Sequence, residues 1–369
     1  MRFAKKTICM LLALFMVAGL LSSVQADAKE ISIAIPKISV KLLSKKTGIK
    51  ITIGKTKDAD GYEIFISGTP TSSEYCDRFL YKDSDGTVHS ETSFSTVIEK
   101  NGKAKRSHTY KGLQPGTYTV KVRSWNNKKF GTKTYSEWSK EKSFTLKEAS
   151  TNGYSTSYDF SKVKKGDVVK FGAYEQDLNY TNGKEAIEWI VLKKTKNSVL
   201  LLSKYAFCGL PYHKDGGNVT WETCSLRKWL NSDFIKSAFN KTEQGMIKST
   251  IIENFDNAVY KTPGGNDTKD KVFLLSQLEM IDTDLGFAED YDTPDVNRRC
   301  AVVWEKNIQG GRSVTADGER AIWWWLRSSG SSATEACFVK DGGSVSSEGL
   351  DITLYGYGIR PALYINLKS

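Results

Sequence analysis

Short runs of alternating apolar and polar residues, separated by polar turns, fill residues 31–148. Along residues 118–123, Tyr118, Val120 and Val122 fall on one face, and the residues between them are polar. A period of two places apolar side chains on one face of a β-strand. Further runs of this kind occupy residues 50–53, 61–67 and 142–146. The pattern predicts an all-β sandwich over residues 31–148.

A small, polar segment at residues 149–157 has the composition of a linker, and the pattern changes after it. Apolar runs predict a meander of three strands at residues 167–174, 186–192 and 197–202. Helix start signals then occur at Ser232-Asp233 before a run through Phe239, at the capping-box pair Ser276 and Glu279, and at Thr293-Pro294 before residues 296–305. Residues 158–369 are therefore predicted to form a mixed α/β (α+β) domain.

Three consecutive tryptophans open the last group of apolar runs, which lies within residues 321–365. In a strand over residues 322–327, Trp323, Trp325 and Arg327 would share one face, and Trp324 would join the core on the other. Residues 336–339 and 344–347 flank Asp341-Gly342-Gly343, which predicts a hairpin. The final strand starts at Ile359 and contains Pro361, which has no N–H to donate, so we expect an edge strand or a bulge there.

The first residues have the features of a secretory signal peptide. Arg2, Lys5 and Lys6 precede an apolar run at residues 8–21, and small residues suited to cleavage follow at 24–28. The run is short for a membrane span, and no later stretch is long and apolar enough to form one. Residues 1–28 are thus predicted to direct export, and we expect an extracellular protein, secreted or held non-covalently at the cell surface.

The net charge of +11 is unevenly distributed along the chain. Residues 29–150 contain 23 Lys+Arg and 13 Asp+Glu, whereas residues 151–369 contain 27 and 28. For an exported protein, a basic first part favours anionic cell-wall polymers or acidic glycans as partners over nucleic acid. A solvated basic surface without a specific partner is the alternative.

Four cysteines, Cys208, Cys224, Cys300 and Cys337, fall in the second part of the chain. They form no C-x-x-C pair, and the three histidines are scattered, so the spacing excludes a zinc site of the usual kind. Buried free thiols and a disulfide within this part are both open, and the sequence does not determine a pairing.

Two motifs in the first part resemble the fibronectin type III family. Residues 113–118, LQPGTY, are similar to the turn that leads into that family's tyrosine corner, although the spacing between Pro115 and Tyr118 differs by one residue from the commoner one. Residues 135–139, YSEWS, look like its W-S-x-W-S element. The resemblance implies a fibronectin type III-like sandwich in which Trp138 packs against Arg123 by cation–π contact.

The second part resembles an uncharacterised C-terminal domain of exported Gram-positive bacterial proteins, which is similar to the C-type-lectin-like and formylglycine-generating-enzyme superfamily. The motifs are FLLS-x-x-E at 273–279, WWLRS at 324–328, the hairpin, and GIRPAL at 358–363. The resemblance covers roughly residues 160–367 and implies a small lectin-like fold with a loop-rich surface. It implies no catalytic residues.

Candidate ligand contacts are the aromatic and charged residues of the closing runs: Trp323, Trp325, Arg327, Asp341, Glu348 and Arg360. Aromatic faces stack on sugar rings, but core packing is the favoured alternative for the tryptophans. For Arg327 and Arg360, pairing with carboxylates or carbonyls, which would lock the strands together, is favoured over contact with a ligand. We expect a ligand at the hairpin and loops between residues 328 and 357.

Acidic residues are concentrated without a base at residues 281–297, where Asp282, Asp284, Asp290 and Asp292 could donate oxygens to Ca²⁺. The spacing lacks the glycine and terminal glutamate of an EF-hand, and a solvated acidic loop is the alternative.

The sequence therefore predicts an exported, non-catalytic binding protein that recognises a glycan or another cell-surface ligand. A carbohydrate-active hydrolase, using two of Glu335, Asp341, Glu348 and Asp351, or a formylglycine-type oxidase is one alternative. A purely structural module for adhesion or wall association is another.

Overall fold

The structure is a computed structural model that describes residues 33–43, 48–70, 79–82, 88–91, 93–99, 106–111, 113, 115–129, 132–147, 159–176, 183–207, 209–301 and 321–367. The predicted signal peptide, the predicted linker and Cys208 lie outside these residues. The described chain is predominantly β, with several separate sheets. No helix among the described residues is long and apolar enough to cross a membrane.

Strands dominate the described residues up to 147, as the alternation predicts. They are β1 (Ile38–Leu42), β2 (Gly48–Ile53), β3 (Gly61–Pro70), β4 (Phe79–Lys82), β5 (Val88–Glu91), β6 (Ser93–Glu99), β7 (Ser107–Lys111), β8 (Gly116–Lys129), β9 (Thr132–Tyr135) and β10 (Lys142–Leu146). One sheet has the order β1-β2-β7, and another has the order β10-β8-β3-β6 with β9 paired to β8. Tyr118, Val120 and Val122 are buried in one cluster with isoleucines of β2 and β3, which confirms the predicted inward face.

A five-stranded antiparallel sheet forms the centre of the second part. Its strands are β11 (Val168–Tyr174), β12 (Glu185–Lys194), β13 (Ser198–Ser203), β16 (Val272–Phe273) and β20 (Ala362–Asn366), in the order β11-β12-β13-β20-β16. The predicted meander over β11 to β13 is confirmed. The prediction of an edge strand or a bulge for the last strand is wrong, because β20 pairs on both sides and neither ladder has a register shift. Pro361 is tolerated because the ladder begins only at Ala362, and its carbonyl accepts from the Ser203 amide at 2.9 Å.

The tryptophan run belongs to a different sheet from the final strand. β17 (Trp324–Ser329), β18 (Glu335–Val339) and β19 (Val345–Asp351) form a three-stranded sheet in sequence order, and β14 (Thr250–Ile252) pairs with β15 (Thr268–Asp270) nearby in sequence. The predicted hairpin is confirmed by the Val339–Val345 register. β17 and β20 are not paired, and an isolated parallel bridge between Trp324 and Gly358 connects their neighbourhoods.

Helices are shorter than the sequence signals predict. α1 (Ser225–Trp229), a π-helical turn (Leu230–Phe234) and α2 (Ile235–Ala238) are continuous, and α3 (Lys241–Met246) follows. The predicted start at Ser232 is wrong, because Cys224 caps α1 and the Ser232 hydroxyl donates to the Lys228 carbonyl inside the helical segment. Asn240 caps α3 through a capping box.

The two remaining helix predictions also fail in part. Ser276 and Glu279 do make reciprocal backbone contacts, at 3.1 and 2.7 Å, but they open only a 3₁₀ turn (Glu279–Ile281). Residues 296–298 form a turn, and Ala301 makes a β-bridge, so no helix runs from 296 to 301; residues 302–305 lie outside the described chain. The second part is accordingly richer in strand and poorer in helix than a mixed α/β prediction implies.

Buried apolar side chains form two clusters with no common member. One contains described residues between Ile49 and Leu146, and the other contains residues between Phe160 and Ile365. Each part of the chain therefore has an apolar core of its own.

Candidate functional site

The three tryptophans of the closing run have different environments. Trp324 and Trp325 are fully buried, and their indole N–H groups donate to the carbonyls of Arg298 and Leu210, both at 3.0 Å. The one-sided alternation predicted for this strand fails because both faces of β17 are covered. Trp325 is thus a core residue and is inaccessible to a sugar. Trp323 is partly buried, stacks on Phe338 at 5.0 Å between ring centroids, and is the more accessible of the two candidates.

Arg327 is held by internal partners. Its guanidinium contacts the Glu279 carboxylate and donates to the carbonyls of Leu274 at 2.9 Å and Glu253 at 3.1 Å. Glu279 is also the residue that closes the capping pattern with Ser276. Arg327 therefore ties β17 to the turn at residues 276–281, which is the locking role open at the sequence level.

Arg360 is also buried, with 1% of its surface exposed, but its partners differ. Nε donates to the Ser203 carbonyl at 2.8 Å and Nη1 contacts the Arg298 carbonyl at 3.4 Å. The guanidinium carbon lies 5.1 Å from the centroid of the Trp324 ring. No carboxylate among the described residues pairs with it, and burial lowers the pKa of Arg360 from its ordinary value.

The remaining candidates are acidic residues on or beside the three-stranded sheet. Asp341 accepts hydrogen bonds from the Trp323 indole at 3.1 Å and the Gly342 amide at 3.0 Å. Glu348 is exposed on β19. Glu335 accepts from the Ser332 amide at 3.1 Å, and Asp351 accepts from the Thr353 amide at 2.8 Å. These contacts shape turns at the rim of the three-stranded sheet.

The acidic loop forms turns stabilised by its own side chains. Asp282 accepts from the Asp284 amide at 2.7 Å, and Asp290 accepts from the amides of Asp292 and Thr293 at 2.9 and 2.7 Å. The backbone hydrogen bond from Thr293 lowers the pKa of Asp290. Within the described ranges, no group of three or more His, Cys, Asp or Glu residues could hold a metal ion. Calcium binding by this loop stays a prediction.

Cys224, Cys300 and Cys337 are free and buried, so the free-thiol interpretation applies to these three. Burial raises the pKa of Cys224 and of Cys337 to about 12. Both thiols are therefore protonated at neutral pH and unsuited to nucleophilic chemistry.

A cavity of about 290 Å³ opens beside the five-stranded sheet. Its apolar walls include Ile190 and Leu192 of β12 and Leu285, Phe287 and Val296 of the acidic loop region. Its polar side chains are Lys165, Lys204, Tyr205, Asn297, Arg299 and Arg360. The volume is near the lower end of the range for small-molecule sites, about 300–1,000 Å³.

Basic groups dominate the electrostatics of this cavity. Four of the described lining residues are Lys or Arg, and none is Asp or Glu. The Glu188 carboxylate lies 3.5 Å from the Lys204 ammonium group and 3.6 Å from that of Lys170. Lys165 donates to the Asp284 carbonyl at 2.6 Å, and Arg299 donates to the Gly342 carbonyl at 3.2 Å. The cavity therefore favours ligands that carry negative charge.

Sequence reasoning found only Arg360 among these residues. Lys165, the adjacent pair Lys204 and Tyr205, and Arg299 come from three separate segments, and no local pattern distinguishes them from other surface residues. No described residue between 328 and 357, where the sequence places the expected ligand, lines the cavity.

A family model described as a domain of unknown function (DUF6273) matches residues 196–367. The match starts between β12 and β13, so the first two strands of the five-stranded sheet precede it. No curated protein and no solved structure matches the chain. The matched residues include the WWLRS and GIRPAL runs, and the description of the family assigns no activity.

Proposed function

We propose that this protein is an exported, non-catalytic binding protein that recognises a glycan or another cell-surface ligand. In this proposal the first part is a fibronectin type III-like sandwich, and the second is a lectin-like domain that holds the ligand. The basic n-region and apolar run at residues 1–28 support export.

The aromatic ladder of the first part supports the fibronectin-like assignment. The Arg123 guanidinium lies 4.0 Å from the Tyr135 ring centroid and 4.5 Å from that of Trp138. Its Nε also donates to Glu63 on β3 at 2.7 Å. This interleaving of cation and aromatic ring is the arrangement that the YSEWS resemblance implies.

The cavity at the five-stranded sheet carries the binding proposal. Its apolar walls can cover a ring, Tyr205 and Asn297 can hydrogen-bond to hydroxyl groups, and its basic residues add specificity. Glycoside hydrolysis needs two carboxyl groups across the bond. The described lining residues include none, which favours binding over hydrolysis.

A glycan array and a pulldown with immobilised wall polymers, both with the purified protein, test this function. We expect retention of at least one ligand that the free ligand competes away. Tyr205→Ala should weaken that binding at least tenfold, because the ring lines the cavity. Tyr260→Ala removes an exposed tyrosine that is not among the cavity's lining residues and should leave binding unchanged. Equal effects of the two variants, or no competed ligand, would contradict the proposal.

A lysine face on the first part favours the structural alternative of wall association. Lys41 of β1 and Lys50 of β2 lie directly opposite each other and are exposed. Lys37, the residue before β1, is also exposed. β1, β2 and β7 contain no acidic residue. Like charges directly opposite each other repel, and an anionic polymer would relieve that repulsion.

This second function predicts salt-sensitive cosedimentation with an anionic wall polymer. Lys41→Glu/Lys50→Glu should abolish it, whereas Lys142→Glu/Lys147→Glu changes the net charge equally on another exposed surface and should retain most of it. Equal losses in both variants would show non-specific charge attraction instead.

A further inference from the structure

We infer that the cavity beside the five-stranded sheet binds a small sugar that carries a carboxylate or phosphate group, with the anion placed against Arg360. This inference rests on the proposed function and specifies its ligand. Neither the resemblance nor the matched family assigns a ligand or this location.

Arg360 is a buried cation with no carboxylate partner among the described residues. A guanidinium has five N–H donors, and the described contacts of Arg360 are two carbonyl oxygens and the face of Trp324. Carbonyls and an aromatic ring satisfy donors but do not neutralise the charge. Removing an uncompensated cation from water is costly unless an anion joins it. Because Arg360 is buried at the wall of an open cavity, a ligand can supply that anion.

A comparison with the other buried arginines supports this interpretation. Arg327 is paired with Glu279, and Arg298 lies 3.6 Å from the Asp295 carboxylate. Both have carboxylate partners within the chain, and neither is a described lining residue of the cavity. Arg360 is the buried arginine that both lacks a described carboxylate partner and lines the cavity.

The surrounding side chains define the rest of the ligand. Lys204 and Arg299 are only partly buried and supply further positive charge. Arginine and lysine bind both carboxylate and phosphate oxygens. The walls formed by Ile190, Leu285 and Phe287 match the apolar face of one ring. The volume of about 290 Å³ suits a single sugar residue rather than a long oligomer.

Titration calorimetry of the purified protein with four probes tests the inference: glucose, glucuronic acid, glucose 6-phosphate and inorganic phosphate. We expect at least one of the two acidic sugars to bind at least tenfold more tightly than glucose, and the tighter one identifies the anionic group. Lys204→Gln and Arg299→Gln should each weaken that binding about tenfold. Lys269→Gln, an exposed lysine on β15, is the control and should have no effect. Arg360→Lys should abolish tight binding, and its circular dichroism spectrum shows whether it folds.

The outcomes separate the ligand class from the proposed function. Equal affinities for glucose and the acidic sugars would overturn the anion inference and leave glycan recognition standing. Acidic-sugar binding that Lys204→Gln and Arg299→Gln leave unchanged would overturn the cavity as its location. Inorganic phosphate binding as tightly as glucose 6-phosphate would overturn the role of the apolar wall. If no probe binds while the glycan array is positive, the anion inference fails alone; if both are negative, the proposed function fails as well.

Discussion

Arg327 and Arg360 both follow apolar residues in the closing runs, yet their surroundings give them different roles. Arg327 meets a carboxylate and two carbonyls, so its charge is balanced within the chain. Arg360 meets carbonyls and an indole face beside a cavity. A sequence run identifies an arginine in a strand-like context, but the acid that pairs with it comes from a distant loop. Both arginines could have locked the strands together by pairing with a carboxylate. Among the described residues, only Arg327 of the two has such a partner.

Removing the Arg327 cation should destabilise the fold. Arg327→Met removes the guanidinium from Glu279 and from the Leu274 carbonyl, and breaking a buried ion pair costs about 3–5 kcal/mol. Because Glu279 is about a quarter exposed, we expect about 2–4 kcal/mol in urea denaturation. The Arg327→Met/Glu279→Gln double variant should recover part of the loss. A double variant less stable than the sum of the single changes would contradict the pairing.

The buried thiols predict a loss of stability at high pH. The pKa values of Cys224 and Cys337 rise from 9.0 to about 12 on folding, because burial penalises the thiolate. Between pH 9 and 12 the unfolded chain has released these protons and the folded chain has not, so the free energy of unfolding falls as pH rises. For each thiol, every tenfold difference in acidity between the unfolded and folded chain corresponds to about 1.4 kcal/mol of stability.

Urea denaturation at pH 8 and pH 10 measures this effect. The Cys224→Ala/Cys337→Ala variant starts from a lower stability, since it loses buried contacts, but it should lose less stability than the parent between the two pH values. An equal pH dependence in parent and variant would contradict buried, protonated thiols.

Among the secondary-structure elements, strands with one solvent-exposed face could be predicted from their alternation. The burial of a strand on both faces could not be predicted in this way. The alternation of β8 and the continuous apolar run of β13 identify both strands. Alternation predicts one exposed face for β17, but loops cover both of its faces, as the Trp324 and Trp325 hydrogen bonds to separate segments show. Likewise Ser276 and Glu279 make the reciprocal contacts of a capping box, as the sequence predicts. The helical segment that follows them is nevertheless only a 3₁₀ turn that ends at Ile281.

The candidate site was less predictable than the fold. The basic residues that line this cavity come from positions 165, 204, 299 and 360, which lie far apart in the chain. The five-stranded sheet and the segment that follows the acidic loop bring them together. Tryptophan and acidic clusters, which are conspicuous in sequence, mostly serve packing and turns instead.

The hairpin turn between β18 and β19 offers a matched pair of glycines. Gly343 has φ +89°, and a Cβ there would lie 2.1 Å from the Asp295 carbonyl oxygen, whereas a Cβ at Gly342 would meet nothing within 4 Å. Gly343→Ala should therefore cost about 1–3 kcal/mol or more, through backbone strain and the clash with the loop that holds Arg298. Gly342→Ala should change stability by less than about 0.5 kcal/mol. Thermal denaturation compares them, and similar melting temperatures for both variants would contradict this turn geometry.

At the scale of the whole molecule, the two apolar clusters and the separate sheets favour two units that fold independently. The family match begins at residue 196, whereas the sheet it enters begins at Val168. A fragment defined by the match alone would lack β11 and β12 and expose the edge of β13, whose six residues are all buried.

Two fragments test where the second unit begins. Residues 158–369 should give a dispersed proton–nitrogen NMR spectrum and a cooperative thermal transition, because the fragment retains the complete sheet. Residues 196–369 should be aggregated or poorly dispersed, since the interior strand β13 becomes an apolar edge. A well-folded shorter fragment would show that β11 and β12 are dispensable.

The position of a bound acidic sugar decides whether this cavity is the binding site. A crystal structure of the protein with the tighter-binding of glucuronic acid and glucose 6-phosphate should show the anionic group within hydrogen-bond distance of Arg360. The ring should lie against Ile190, Leu285 and Phe287. Density for the sugar at Trp323 and the 328–357 loops, with the cavity free of sugar, would contradict the assignment of the binding site to this cavity.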